Sequence, residues 1–334
     1  MTSATSREPG NVLVLSLGGT IAMTRSGLDD AGVQPRLTGA ELIAAVPGLE
    51  REAILQVEDV RTVPGASLTL EDVADLAERL NHAATAGVTG MVVTQGTDTL
   101  EETAFAVDLY YHGRAPAVLT GAMRPPQSPG ADGPANLLAA VQTAASPAAR
   151  DLGALVVMAD EIHAARHVRK VHSLSTAAFA SPGTGPLGSV VEGVPRLHFS
   201  LPRHPGIQLP LARPARVEVL TAALGSDGAL LDGLEECVDG AVIAAFGAGH
   251  VPASWVKPLE NLATRIPVVL VSRTGAGSIL SATYAFDGSE RDLLDRGLIS
   301  GGRLDPYKAR LLLLAHLRAG SDRAAITAAF DHRG

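Results

Sequence analysis

Short apolar runs that stop at glycine, alternating with helix-periodic segments, set the tightest limit on what this chain can fold into. Val12-Leu13-Val14-Leu15 leads into Gly18-Gly19-Thr20, and Met91-Val92-Val93 leads into Thr94-Gln95-Gly96-Thr97-Asp98-Thr99. Further runs at 116–120 and 154–158, then near 217–220, 241–246 and 267–272, keep the same rhythm. Such alternation predicts a mostly parallel α/β sheet. One intervening helix is expected from Thr69, with Asp72 completing a capping-box-like start and Gly87 ending it. Its apolar face is Leu70, Val73, Ala74, Leu76, Ala77 and Leu80. The final helix is expected to begin at Pro306.

At 334 residues the chain exceeds one ordinary core, so two domains are expected. Pro195, Pro202, Pro205, Pro210 and Pro214 interrupt the rhythm, and proline removes a donor and fixes φ. The expected organisation is a larger N-terminal, mostly parallel α/β sheet domain with flanking helices over 1–194. A proline-rich linker over 195–216 follows, then a smaller C-terminal α/β domain over 217–334. Apolar residues make up 46% and aromatics only 3%, so Ala, Val and Leu must fill the interior.

A formal charge of −8 argues against general binding to nucleic acid or to a membrane surface. The one cysteine, Cys237, cannot form an intrachain disulfide, which favours a reducing compartment. Met1 to Gly10 is polar and lacks a signal-like apolar core, and no run reaches the ~20 apolar residues of a membrane span. A cytoplasmic protein is expected.

The two glycine turns are the first candidates for chemistry. Ligands of open α/β sheets bind beyond the carboxyl ends of strands, and each turn presents a threonine there, Thr20 and Thr97. A threonine hydroxyl becomes a nucleophile when a base takes its proton. It also caps helices, and both readings stand for these two residues. Asp98 adjoins Thr97, while Glu101 and Glu102 fall where acids suit a helix dipole. The basic stretch from His163 to His172 admits three readings. His163 and His167 could share a helix face as metal ligands; the run could be a solvated loop; or a lysine could turn inward for proton transfer. The turns Gly247-Ala248-Gly249-His250 and Gly275-Ala276-Gly277-Ser278 each match only part of a dinucleotide fingerprint and read as ordinary strand ends.

Taken in order, the segments Leu17-Gly18-Gly19-Thr20-Ile21-Ala22, Thr94 to Ala104, Gly121-Ala122-Met123-Arg124-Pro125 and Asp132-Gly133-Pro134 with Asn136 resemble the bacterial L-asparaginase family. Arg166, Val168 and Lys170, Gly185-Pro186-Leu187-Gly188, Gly302-Arg303-Leu304 and Lys308-Ala309-Arg310 extend the resemblance to the last helix. It implies conversion of L-asparagine to L-aspartate and ammonia without metal or cofactor. Thr20 would be the nucleophile of an acyl-enzyme, with Thr97, Asp98 and Lys170 as the second cluster. Asp98 would hold the substrate α-amino group and Ala122 would lie against the side-chain amide. The position that grips the substrate carboxylate falls at Gly65 or Ala66, where the family has serine.

The resemblance also implies a homo-oligomer, dimer or tetramer, with no nucleic-acid or membrane partner. Ile279, Leu280, Tyr284 and Phe286 are candidates for its interface or for core. Two further departures stand out: the loop from Thr24 to Thr38 lacks the family's tyrosine, and Ala248 replaces an asparagine. A glutaminase, an amidotransferase-type amidase and a non-catalytic amino-acid-binding module remain the alternatives.

Overall fold

The computed structural model describes residues 10–25, 33–209 and 213–333, so Met1–Pro9, part of the loop after Thr20, and Pro210 of the proline-rich stretch lie outside the described residues. The chain divides into two compact units, Met1–Arg203 and His204–Gly334.

The strands of the first unit are β1 (Gly10–Ser16), β2 (Met23–Arg25), β3 (Val33–Pro35), β4 (Ala53–Asp59), β5 (Gly90–Thr94), β6 (Ala117–Thr120), β7 (Ala154–Met158), β8 (Glu161–Ala164), β9 (Arg169–Lys170), β10 (Phe179–Ala180), β11 (Gly188–Val191) and β12 (Val194–Leu197). Its helices are α1 (Gly39–Ala44), α2 (Leu70–Thr85), α3 (Leu100–Tyr110) and α4 (Gly133–Ala145). Eight strands form one sheet in the order β12-β11-β8-β7-β6-β5-β1-β4. From β7 to β4 every pair is parallel, while β7–β8, β8–β11 and β11–β12 are antiparallel.

The parallel strands β5, β6 and β7 are buried along their whole length, as strands covered on both faces must be. Val12, Val14, Val92, Val118, Leu155 and Val157 face α4, which brings Leu137, Ala140, Val141 and Ala144 against them. Small residues let the layers close. A Cβ on Gly90 would stand 2.0 Å from the Ala144 carbonyl oxygen, so α4 rides directly on the β5 backbone. The shortage of aromatics is thereby explained by close backbone packing rather than by large side chains.

Helix α2 carries the expected capping box: Thr69 Oγ1 accepts from Asp72 N, and the Asp72 carboxylate accepts from Thr69 N. The proline-rich stretch departs from expectation at its start, because Val194–Leu197 is a regular strand. It is the outermost strand of the sheet, where a missing donor is tolerated, and Pro195 pairs with Val190.

The second unit is a four-stranded parallel sheet, β13 (Val217–Thr221), β14 (Gly240–Ala245), β15 (Val268–Ser272) and β16 (Ile299–Ser300), in sequence order. It carries α5 (Ala253–Ala263), α6 (Glu290–Asp295), α7 (Pro306–Arg318) and α8 (Arg323–Arg333). Trp255, Leu259 and Leu262 of α5 pack on Ile243 and Leu270. Helix α7 begins at Pro306 with Asp305 as its cap, but α8 follows it, so Pro306 does not start the last helix. Among the described residues no helix is long and apolar enough to cross a membrane.

Candidate active site

The carboxyl ends of four neighbouring parallel strands, β4, β1, β5 and β6, bring the expected residues to one edge of the large sheet. After β1 the chain turns through Gly18 (φ 88°) and Gly19 (φ 86°), a conformation that favours glycine, and Thr20 opens a single 3₁₀ turn. Ser16 at the end of β1 pairs with Thr94 at the end of β5, so the two threonine turns emerge side by side. They touch. A Cβ on Gly19 would lie 2.0 Å from Gly96 N and 2.4 Å from its Cα, leaving no room for any side chain.

The turn beyond β4, Gly65–Ser67, closes the other side: a Cβ on Gly65 would be 3.1 Å from the Gly96 carbonyl oxygen. Thr99 Oγ1 ties it down by donating to Gly65 O at 2.9 Å. Gly65 itself is buried, while Ala66 and Ser67 are exposed on the same turn. Beyond β6, a Cβ on Gly121 would be 3.2 Å from Thr97 Cγ2, which puts the Gly121-Ala122 segment beside Thr97.

Neither threonine is a helix cap. Gly19 holds the cap position before Thr20 and makes no side-chain cap bond, and Thr99 is the N-cap of α3. Buried Thr97 instead receives a hydrogen bond from Lys170 Nζ at 2.9 Å. The same ammonium lies 2.8 Å from Asp98 Oδ1, whose side chain is 70% exposed and therefore open to a second cation. Lys170 thus turns inward from the basic stretch, across 73 positions of sequence, onto Thr97.

The rest of that stretch departs from the helical reading. His163 sits on β8 and His167 in the turn after it, so they share no helix face. His163 is fully buried, with Nδ1 2.9 Å from Ser181 Oγ and Nε2 3.3 Å from the Glu161 carboxylate. Burial pushes its imidazole from the ordinary 6.5 down to about 4. The unfolded chain then binds a proton between these values that the folded chain refuses. Stability is complete above the unfolded pKa and is lost as pH falls towards the folded one, by about 3 kcal/mol in all. Urea denaturation at pH 7 and pH 4.5 reads this loss, and in His163→Gln the part due to the imidazole disappears.

Three side chains that shape the site drew no role in it from the sequence. Asp132 accepts from Met123 N at 2.9 Å and Arg124 N at 2.9 Å, using its carboxylate there rather than as a cap for α4. Asn136 donates to Gly121 O at 3.0 Å and accepts from Ala159 N at 3.0 Å. Between them they fix the peptides on both sides of Ala122. Glu101, buried in the first turn of α3, accepts from the main-chain N–H of Lys170 at 2.9 Å. Asp132 and Asn136 were visible only as parts of a spaced pattern, and Glu101 looked like an ordinary acid at a helix start.

Known proteins resemble this chain along nearly its whole length. Residues 11–203 match the model of the asparaginase N-terminal domain, and residues 216–330 that of the glutaminase/asparaginase C-terminal domain. A probable L-asparaginase of Deinococcus radiodurans is 38% identical over 95% of this chain and 96% of its own length. A glutaminase-asparaginase of Pseudomonas fluorescens biotype A is 33% identical over 95% and 89%. The crystal structure of a probable cytoplasmic L-asparaginase from Campylobacter jejuni superposes with a TM-score of 0.85 at 31% identity, covering 96% of this chain and 99% of that one. With both domain models matched in order and relatives aligned along almost its whole length, this chain belongs to the asparaginase family.

Proposed function

We propose that the protein is an L-asparaginase, hydrolysing L-asparagine to L-aspartate and ammonia through a threonine nucleophile. The observation that carries this reading is the Lys170 ammonium bonded to both Thr97 and Asp98, on a turn packed against the one that presents Thr20. Thr20 Oγ1 attacks the side-chain carbonyl carbon. Its proton passes through the Thr97–Lys170 pair to the departing nitrogen, which leaves as ammonia. Water then attacks the acyl ester, and the proton it gives up restores the Thr20 hydroxyl as aspartate departs. Because Nζ donates to Thr97 Oγ1, the Thr97 hydroxyl proton is free to point towards substrate.

Backbone N–H groups of the Gly19 and Gly96 turns supply the oxyanion donors, each of which typically contributes ~10²–10³ in rate. Asp98 receives the substrate α-ammonium, the Gly65-Ala66 turn lies on the carboxylate side, and the fixed peptide at Ala122 meets the amide. This route uses side chains, backbone donors and water, and no step of it calls for a metal or cofactor.

Ammonia release from L-asparagine, matched by an equal amount of aspartate and unchanged by EDTA, is the expected result. Release from glutamine as well makes it a glutaminase-asparaginase. No release from either amide overturns the reading.

We also propose a cytoplasmic homo-oligomer, dimer or tetramer. The Campylobacter neighbour described as cytoplasmic and the exposed, unpaired Cys237 support the compartment. Leu280, Tyr284 and Phe286, exposed by 40%, 42% and 50%, support an interface, whereas Ile279 is buried core.

A further inference from the structure

We propose that Glu101 is a positioning residue for Lys170, holding the lysine main chain so that its ammonium meets Thr97 and Asp98. The proposal rests on the reading of Lys170 as part of the proton relay. Lys170 lies on β9, which has only two residues and pairs with the equally short β10. Immediately beyond it the chain is exposed, with Val171 at 54% and Leu174 at 78%. A ladder this short is a weak anchor for a side chain that must place one nitrogen between two oxygens. The long lysine stem adds further freedom.

The anchor comes from α3. Glu101 is only 8% exposed, and its Oε2 accepts the Lys170 N–H at 2.9 Å, a charge-assisted bond to main chain. The N-terminal turn of the helix favours the negative charge that strengthens this bond. Thr97, Asp98 and Glu101 belong to one short strand-to-helix passage, and Lys170 is bound to it twice, by its main chain at Glu101 and by its ammonium at Thr97 and Asp98. Lysine and relay oxygens are therefore set in register by a single element. Loosening the main-chain end lets the nitrogen drift, and a misplacement of about 1 Å can cost ~10²-fold in rate.

Two variants separate reach from charge. Glu101→Gln keeps an acceptor oxygen at the same distance but loses the charge; Glu101→Asp keeps the charge but falls one methylene short. The expected order in kcat is wild type, then Gln, then Asp, with Asp lower by about ten- to a hundredfold and KM changing far less. In a Lys170→Met background the Asp substitution adds no further loss, because the two residues act as one unit. Hydrogen exchange at the Lys170 amide, measured without substrate, is faster in Asp than in Gln. Gln slower than Asp means that Glu101 acts only through charge at the helix start, and equal kcat in the two variants means that its reach to the Lys170 N–H does not matter; either result overturns the proposal. If the wild type releases no ammonia, the amidase reading fails on its own account, and the exchange rates still decide whether Glu101 anchors Lys170.

Discussion

Replacing Thr20 by alanine is expected to stop ammonia release while leaving the fold and substrate binding in place. The loss should exceed about 10⁴-fold, the scale on which removing a nucleophile from a working catalytic group acts. Among the described residues no hydrogen bond of the fold uses the Thr20 hydroxyl. Thr20 is half-buried in a 3₁₀ turn whose cap position belongs to Gly19, and the turn is held by main-chain bonds such as Ala22 N to Gly19 O at 2.9 Å. Close packing of Gly19 on Gly96, to which a methyl at position 20 adds no bulk, holds the turn that presents Thr20 against the turn that presents Thr97. Circular dichroism and thermal unfolding should therefore match wild type, and calorimetric titration of the variant with asparagine should still show binding. Thr20→Ser, which keeps a hydroxyl, should retain measurable turnover. More than a few per cent of the wild-type rate in the alanine variant would remove Thr20 from the nucleophile's role and leave it a rim residue.

Local chemistry was legible in the sequence, and long-range partnership was not. Thr69 and Asp72 announce a helix start because the two residues satisfy each other's main chain three positions apart, and the structure has that box. Buried strands at β5, β6 and β7 are equally local signals, since a short run of Val, Leu and Ala between turns has few alternatives. The antiparallel end of the sheet is different. β8, β11 and β12 pair across loops, and β12 contains a proline that reads as a break until its edge position is known. Glu101 shows why parts of the site were hidden. An acid in the first turn of a helix already has a local reason to be there, yet its carboxylate serves a main-chain N–H 69 residues away. Asp132 sits where a cap is expected and turns instead to Met123 and Arg124. His163 and His167 have the spacing of a helical pair, but strand β8 and a turn take them apart.

Substituting Lys170 by methionine should lower kcat by about 10³-fold while changing KM little, because general acid–base groups typically contribute 10²–10⁴ to rate rather than to ground-state binding. Methionine keeps an unbranched stem, with sulfur in place of Cδ, and removes the nitrogen, so most of the path towards Thr97 stays filled. Stability should change little. The partner carboxylate of Asp98 is mostly in solvent, and pairs of that kind contribute about 1 kcal/mol or less. Charge and proton transfer are then separated by Lys170→Arg, whose guanidinium can still pair with Asp98 but cannot give up its proton at working pH. If the ammonium serves only to hold Asp98, arginine restores most of the rate. If it moves the proton between Thr97 and the leaving nitrogen, arginine stays as slow as methionine, and that is the expected outcome. A methionine variant at the wild-type rate would instead return Lys170 to the role of a solvated loop cation and leave Thr97 without the neighbour that makes it a relay.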